Sequence, residues 1–244
     1  GQSHILAPNI PNCVAFDPAY AYELAVIIHS GMHRMYREQE NVFYYITCMN
    51  ENYAHPGMPE GAEDGILKGM YRVRPADGSG PRVQLFGSGA ILLEALAAAE
   101  VLKQQFNVTA DVWSVTSYSE LRRDGIDCDR WNRRNPSASD RIPYVSACLK
   151  GIDGPFIAAS DYMRIVPDQI RQWVPGRFVV LGTDGFGRSD SRAALREFFE
   201  VDSSNIILAA LSALADDVKL DPETVQAAVV ALGLDPDKPN PVNV

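Results

Sequence analysis

The sequence is short of several things that would mark out a function class. Only four cysteines stand among 244 residues, at positions 13, 48, 128 and 148, and none has a Cys-x-x-Cys spacing. That disfavours a disulfide scaffold, a zinc knuckle or a dithiol redox pair, and fits reduced thiols in a cytoplasmic protein. No uninterrupted apolar run approaches the ~20 residues of a bilayer crossing, so no membrane span is expected. Positive charge is scarce as well: 22 Lys and Arg against 31 Asp and Glu give a formal charge of −9. Such a surface repels phosphate backbones and argues against general nucleic-acid binding. The opening Gly1-Gln2-Ser3-His4-Ile5 has no initiator Met, no charged leader and no apolar signal core, so no export signal is expected. What is present, 46% hydrophobic and 22% charged residues, is ordinary for one large globular domain or two small ones.

The first fifty residues read as strand, helix, strand. Cys13–Phe16 is a short apolar run. Asp17-Pro18 has the form of an N-cap followed by Pro at the first helical position. Apolar residues recur at helical spacing through Tyr20, Leu24, Ile27, Ile28 and Met32. Val42 to Met49 is dense in β-branched and aromatic residues, which predicts a strand buried on both faces in a parallel sheet. A single unit of this kind cannot cover both faces of its strands, so it must join a larger sheet or a larger domain. Residues 52–80, with three prolines and six glycines, read as an irregular crossing with one short helix near 62–68.

From residue 81 onward strands and helices alternate, which predicts a mostly parallel sheet. Strands are expected at 82–86, 111–115, 156–159 and 178–181, and helices at 90–105, 162–173 and 191–199. Residues 206–211 fit either type. A last helix over 222–232 has Asp221 as N-cap, Pro222 at its first position and Gly233 beyond its end.

Several strings invite a chemical reading. Gly87-Ser88-Gly89 occupies the place of a dinucleotide-binding turn, but Leu92 stands where the third glycine belongs, and Asp111 begins the next strand instead of ending it. Gly182–Ser189 follows a strand yet lacks the Gly-Lys-Ser/Thr ending of a phosphate loop. His29 and His33 share a helix face without a third metal ligand in view. Between Glu120 and Arg141 six arginines mix with five acids, a pattern suited to an ion-paired surface that Trp131 could anchor. Asn50-Glu51-Asn52 ends the second strand, where ligands of parallel sheets usually sit.

Ile10-Pro11-Asn12 with Phe16–Glu23 resembles the thiamine-diphosphate-dependent, transketolase-like enzymes. Met49–Tyr53, Met58–Gly69, Ser114–Asn132, Leu181–Arg192 and Asn240-Pro241 resemble, more narrowly, the homodimeric bacterial pyruvate dehydrogenase family. The resemblance implies an α/β fold: the end of a pyrimidine-binding domain over 1–53, a linker over 54–80, and a transketolase C-terminal-like domain over 81–244 with helices on both sheet faces. It further implies a chain that begins inside a domain. The family's Gly-Asp-Gly…Asn motif for diphosphate and magnesium, and its activating glutamate, do not occur in these residues.

By the same resemblance the intact enzyme decarboxylates pyruvate, a small 2-oxo acid, on thiamine diphosphate and Mg. It then passes the acetyl group to a lipoyl arm of an acetyltransferase component. A homodimer is expected, and these residues alone should be inactive. Gly1-Gln2-Ser3-His4 is similar to the transketolase Gly-Pro-Thr-His, which makes His4 the candidate catalytic residue. Asn50, Glu51 and Asn52 are implied to line the substrate channel, where transketolase has a phosphate-binding arginine instead. The alternatives are a free-standing interaction or assembly module and a transketolase-type enzyme.

Overall fold

The computed structural model describes residues 1–244 and contains two sheets that meet near the carboxyl ends of their strands. The small sheet pairs β1 (Cys13–Phe16) in parallel with β2 (Phe43–Ile46). The short helix α1 (Ser3–Leu6) precedes it and α2 (Ala21–Met32) connects its strands. The helix α3 (Glu63–Lys68) packs on α2, and Ile66 and Ala62 complete a small core with Val14, Phe16 and Ile27.

The large sheet has the order β3 (Tyr71–Arg74), β5 (Thr109–Ser114), β4 (Arg82–Gly87), β6 (Phe156–Ala159), β7 (Phe178–Leu181). All pairs are parallel except β3 with β5, an antiparallel edge. Side chains alternate across it. Val83, Leu85, Ala110, Val112 and Ile157 enter one core, with α4 (Ile91–Phe106), α9 (Ser203–Asp216) and Ala228 of α10 (Pro222–Ala231). Phe86, Trp113, Phe156 and Ala158 enter the other, with α5 (Tyr118–Arg134), α6 (Tyr144–Cys148) and α7 (Ile165–Asp168). Helices cover both faces, as parallel strands that are apolar on both sides require.

Several sequence expectations change. Asp17 is not an N-cap: α2 begins at Ala21, and the Glu23 carboxylate accepts the Ala19 and Tyr20 N–H groups instead. The second strand covers only 43–46 and is half-exposed, because β1 is its single hydrogen-bonded neighbour. The crossing at 52–80 supplies an edge strand, pinned where Arg72 reaches the buried Asp111 at 3.3 Å. Asp111, the third residue of its strand, also accepts from Arg82 (2.6 Å), Gln84 (2.9 Å) and the Ala76 N–H (3.0 Å). Burial pushes its carboxyl up, but these partners outweigh burial and hold it below the usual carboxylate range. Residues 206–211 are helical. The charged window at 120–141 is largely one amphipathic helix that Ser117 caps at the Glu120 N–H. Expected helix 162–173 breaks into α7 and a 3₁₀ turn at Arg171–Trp173.

One segment is long and apolar enough to cross a membrane by length and composition alone, although charges interrupt it. Residues 192–216 reach a mean hydropathy of 1.4 over an 18-residue window. They fold as two helices, α8 (Arg192–Phe198) and α9, separated by a turn with Glu200 at φ +61°. The apolar face of α9 is buried against the large sheet, which accounts for its composition.

Candidate functional site

The carboxyl ends of both sheets converge on one small region. Asp17 follows β1, Thr47 follows β2, Ser88 follows β4, Thr116 follows β5, and Ser160–Tyr162 follow β6. Backbone bonds fasten the parts together: Asp17 N–H donates to Thr116 O (2.7 Å) and Gly89 N–H to Asp17 O (3.1 Å). In the large sheet β4 is where chain order reverses, because β5 lies on one side and β6 on the other. Such switch points, at the carboxyl ends of strands, are where open α/β sheets bind ligands. Ser88 donates to Ser160 across this point at 3.2 Å.

His4 enters the region from α1 and is 6% exposed. Its Nε2 lies 3.0 Å from Thr47 Oγ1. Tyr162 and Tyr45 wall the ring edge-on at centroid distances of 4.5 and 5.4 Å. The Gly1 carbonyl accepts the Met163 N–H at 2.9 Å, which ties the segment carrying His4 to the loop after β6. Burial lowers the imidazole to about 4, so it is neutral at pH 7. A neutral imidazole has one donor and one acceptor nitrogen and can take up a proton from a reacting group.

Asp17 is the buried carboxyl of this region that the sequence reading took for a helix cap. Its carboxylate is buried, and Oδ1 accepts from Thr47 Oγ1 at 2.7 Å. Oδ2 is buried without a partner, as is the Tyr118 hydroxyl. Both residues line a cavity of about 10 Å³ shared with His4, Ser88 and Tyr162, close to the size of one water. Burial raises Asp17 to about 7, while the Thr47 hydroxyl pulls the other way. The sequence signal was the Asp-Pro pair, but a cap is the commoner use of that pair.

His4 and Asp17 are expected to move stability in opposite directions with pH. Between about 4 and 6.5 the unfolded chain protonates His4 and the folded chain does not, so this contribution is lost as pH falls. Between 3.8 and about 7 the folded chain holds a proton on Asp17 that the unfolded chain releases, so this contribution is lost as pH rises. Each is worth on the order of 3–4.5 kcal/mol at most, and the two offset one another. Relative to the parent, the Tm of His4→Gln should fall between about pH 4.5 and 6.5, and that of Asp17→Asn should rise. Same-sign slopes in the two variants would contradict the assignment.

A second carboxylate joins the two sheets. Glu23 has no exposed surface, and its Oε1 accepts from the Tyr71 and Ser114 hydroxyls at 2.6 Å each. Ser117 donates to Ala15 O at 2.5 Å and Arg123 to Cys13 O at 2.7 Å, so β5 and α5 hold β1 along its length.

The three residues expected along a substrate channel follow Thr47 at the carboxyl end of β2, and Glu51 lies close enough to Asp161 to act on its charge. Glu51 is clamped by Arg196, with contacts at 2.5 and 3.3 Å, and Arg192 lies 3.7 Å away. Arg196 also reaches Glu94 at 3.1 Å, and Arg192 donates to Asn50 O. Asn52 is exposed. Sequence reasoning placed no arginine beside Glu51; α8 brings two, from about 140 residues away, and the acid neutralises them in part.

The other strings resolve as packing. Gly89 adopts φ +49°, and a Cβ there would lie 2.7 Å from Asp17 Oδ2, so the Gly87–Gly89 turn serves close approach to Asp17. In Gly182–Ser189, Asp184 pairs with Arg164 at 2.6 Å and Arg188 covers the Phe198 ring at 4.3 Å. Trp131 is stacked by Arg141 at 4.4 Å. His33 lies 3.6 Å from Glu38, and no three His, Cys, Asp or Glu side chains cluster tightly enough to hold a metal ion.

Comparison with known proteins agrees with this architecture. Residues 1–56 match the pyruvate dehydrogenase E1 component middle domain, and residues 69–202 match the transketolase-like C-terminal domain. The chain is 54% identical over 245 residues to the pyruvate dehydrogenase E1 component of Pseudomonas aeruginosa, covering 100% of this chain and 28% of that protein. The Escherichia coli K12 counterpart is 52% identical over 243 residues, covering 99% and 27%. The chain thus spans little more than a quarter of the length of these relatives. Among solved structures, a Pichia stipitis transketolase complex superposes with a TM-score of 0.58 at 17% identity, covering 90% of this chain and 28% of that one. Campylobacter jejuni transketolase gives 0.59 at 14%, covering 86% and 28%. The chain belongs to the transketolase-like C-terminal domain family and matches, from end to end, a C-terminal portion of bacterial pyruvate dehydrogenase E1 components.

Proposed function

We propose that the protein carrying this chain decarboxylates a short 2-oxo acid, pyruvate first, in a thiamine-diphosphate-dependent reaction. It then passes the acetyl group to a lipoyl group on an acetyltransferase component. The observation that carries this reading is identity above 50% running through the whole chain to enzymes of that name. The buried, neutral His4 supports it, as an imidazole able to exchange a proton with a carboxylate or carbonyl oxygen. Asn50, Glu51 and Asn52 form the approach, with the Glu51–Arg196 pair bracing its wall.

The residues present do not fit the cofactor's diphosphate or a magnesium ion. They hold no metal-binding cluster, and neither glycine string forms a phosphate cradle. The cofactor carries the carbanion chemistry in such enzymes, so its ligands come from residues other than these 244. What this chain contributes is the imidazole, the tyrosine rings that wall it on two sides, and the packing that holds both. We further place the enzyme in the cytoplasm as a homodimer; four unpaired thiols support the compartment.

The test is an assay of the intact protein with pyruvate, thiamine diphosphate and Mg, followed by acetylation of a lipoyl domain. Both steps should depend on the cofactor, and the 244 residues alone should show no turnover. Turnover by this segment alone, or transfer of a two-carbon unit between sugar phosphates by the intact protein, would overturn the reading.

A further inference from the structure

We propose that Asp17 and Thr47 are positioning residues that set the tautomer of His4, with its ring proton on Nε2 and its lone pair on Nδ1. The inference rests on the reading of His4 as a site residue. It follows from counting protons around one hydroxyl. Thr47 Oγ1 has a single proton, with Asp17 Oδ1 at 2.7 Å, His4 Nε2 at 3.0 Å and Phe16 O at 3.3 Å around it and the Tyr162 hydroxyl as a further hydrogen-bonding neighbour. A carbonyl oxygen and a carboxylate oxygen only accept. The hydroxyl proton therefore goes to Asp17 Oδ1, the closest acceptor, so none is left for His4 and the His4–Thr47 contact must be donated by Nε2–H, the second lone pair of Oγ1 remaining for Tyr162. Asp17 Oδ2 has no partner within the chain, so it is the oxygen open to a proton, and protonation there leaves Oδ1 an acceptor.

The geometry that enforces this is rigid. Thr47 N–H donates to Phe16 O at 3.0 Å, extending the ladder between β1 and β2 by one step and aiming the hydroxyl at Asp17. The groups facing Asp17 are the Thr47 and Ser88 hydroxyls, with Asp161 and Glu23 adding negative charge around it. The groups facing His4 are the Tyr45 and Tyr162 rings and Thr47. Only Asp17 Oδ2 and the Tyr118 hydroxyl are fully buried without a partner. His4 Nδ1 makes no bond within the chain and is not one of them, so it retains contact with solvent. The basic nitrogen is thus the one that an incoming carboxyl or carbonyl group can reach.

Neutron diffraction from the perdeuterated intact protein at neutral pD reads the arrangement directly. Deuterium is expected on His4 Nε2, with the Thr47 deuterium directed at Asp17 Oδ1. Two variants add a kinetic readout. Thr47→Val removes the acceptor and should lower kcat on the order of 10²-fold, at the low end of what a positioned acid or base contributes. It should also leave Nε2 without its fixed proton, whereas Thr47→Ser should restore both. Should Thr47→Val fail to fold, the parent and Thr47→Ser maps still decide. Deuterium on Nδ1, or a Thr47→Val protein with parental kinetics and an unchanged ring proton, overturns the proposal and leaves a role for His4 intact. Parental kinetics in His4→Ala would instead sink that role, while the proton map could still stand.

Discussion

His4→Ala in the intact protein is expected to lower kcat/KM for pyruvate by about 10²–10⁴-fold, the usual contribution of a positioned acid or base. The imidazole is neutral because burial holds it near 4, so it can accept a proton at pH 7 without first losing one. Removing it leaves no orphaned donor: the Thr47 hydroxyl keeps Asp17 Oδ1 and Phe16 O as acceptors. The stability cost should therefore be a packing loss against Tyr45 and Tyr162, within the common range of about 1–3 kcal/mol. His4→Gln sharpens the test, because its amide can still donate to Thr47 but offers no ring nitrogen. A folded His4→Gln protein with the kinetic defect of His4→Ala assigns the loss to chemistry. A kcat/KM within about threefold of the parent in both variants would remove His4 from the mechanism.

Glu23→Ala should destabilise the fold strongly, by about 3–5 kcal/mol, because several buried donors are left unsatisfied at about 1–3 kcal/mol each. The carboxylate has no exposed surface and receives four donors: the Ala19 and Tyr20 N–H groups and the Tyr71 and Ser114 hydroxyls. Tyr71 lies on β3 and Ser114 on β5, whereas Ala19 and Tyr20 lead into α2. Truncation thus strands donors on the large sheet and at the entry to α2 at once and leaves a hole between them. At about 2–4 °C per kcal/mol for a chain of this size, the Tm should fall by on the order of 10 °C. Hydrogen exchange should show α2 losing protection before the large sheet does. Glu23→Gln should fall between, because its amide replaces one acceptor oxygen with another donor. A Tm within about 2 °C of the parent for Glu23→Ala would show that the two sheets hold together without this carboxylate.

How much of the molecule could be read from its residues depended on the range of the interaction involved. The strands at 13–16, 82–87, 156–159 and 178–181 and the closing helix with Asp221 and Gly233 were legible, because apolar runs and caps act over a few positions. The strand at 71–74 was not. Tyr-Arg-Val-Arg carries two charges and becomes a strand only because Arg72 finds Asp111 and the edge of β5. The helix at 118–134 was obscured by its charges, since only Tyr118 and Leu121 enter the core beneath it and Ile126 is exposed. His4 was legible through its resemblance to a known histidine string.

Sequence alone determined the class of the fold, the identity of the family and the type of residue at the site. Those follow from local periodicity and from strings too long to match by chance. Tertiary structure decided what each polar side chain does. It turned Asp17 from an expected cap into a buried carboxyl beside Thr47, and it brought Arg192 and Arg196 onto Asn50 and Glu51. It also made Glu23 the joint between two sheets. The physical reason is common to all three. A buried charge or hydroxyl must find a partner wherever the chain supplies one, and those partners lie 30 to more than 140 residues away, beyond the reach of any local pattern.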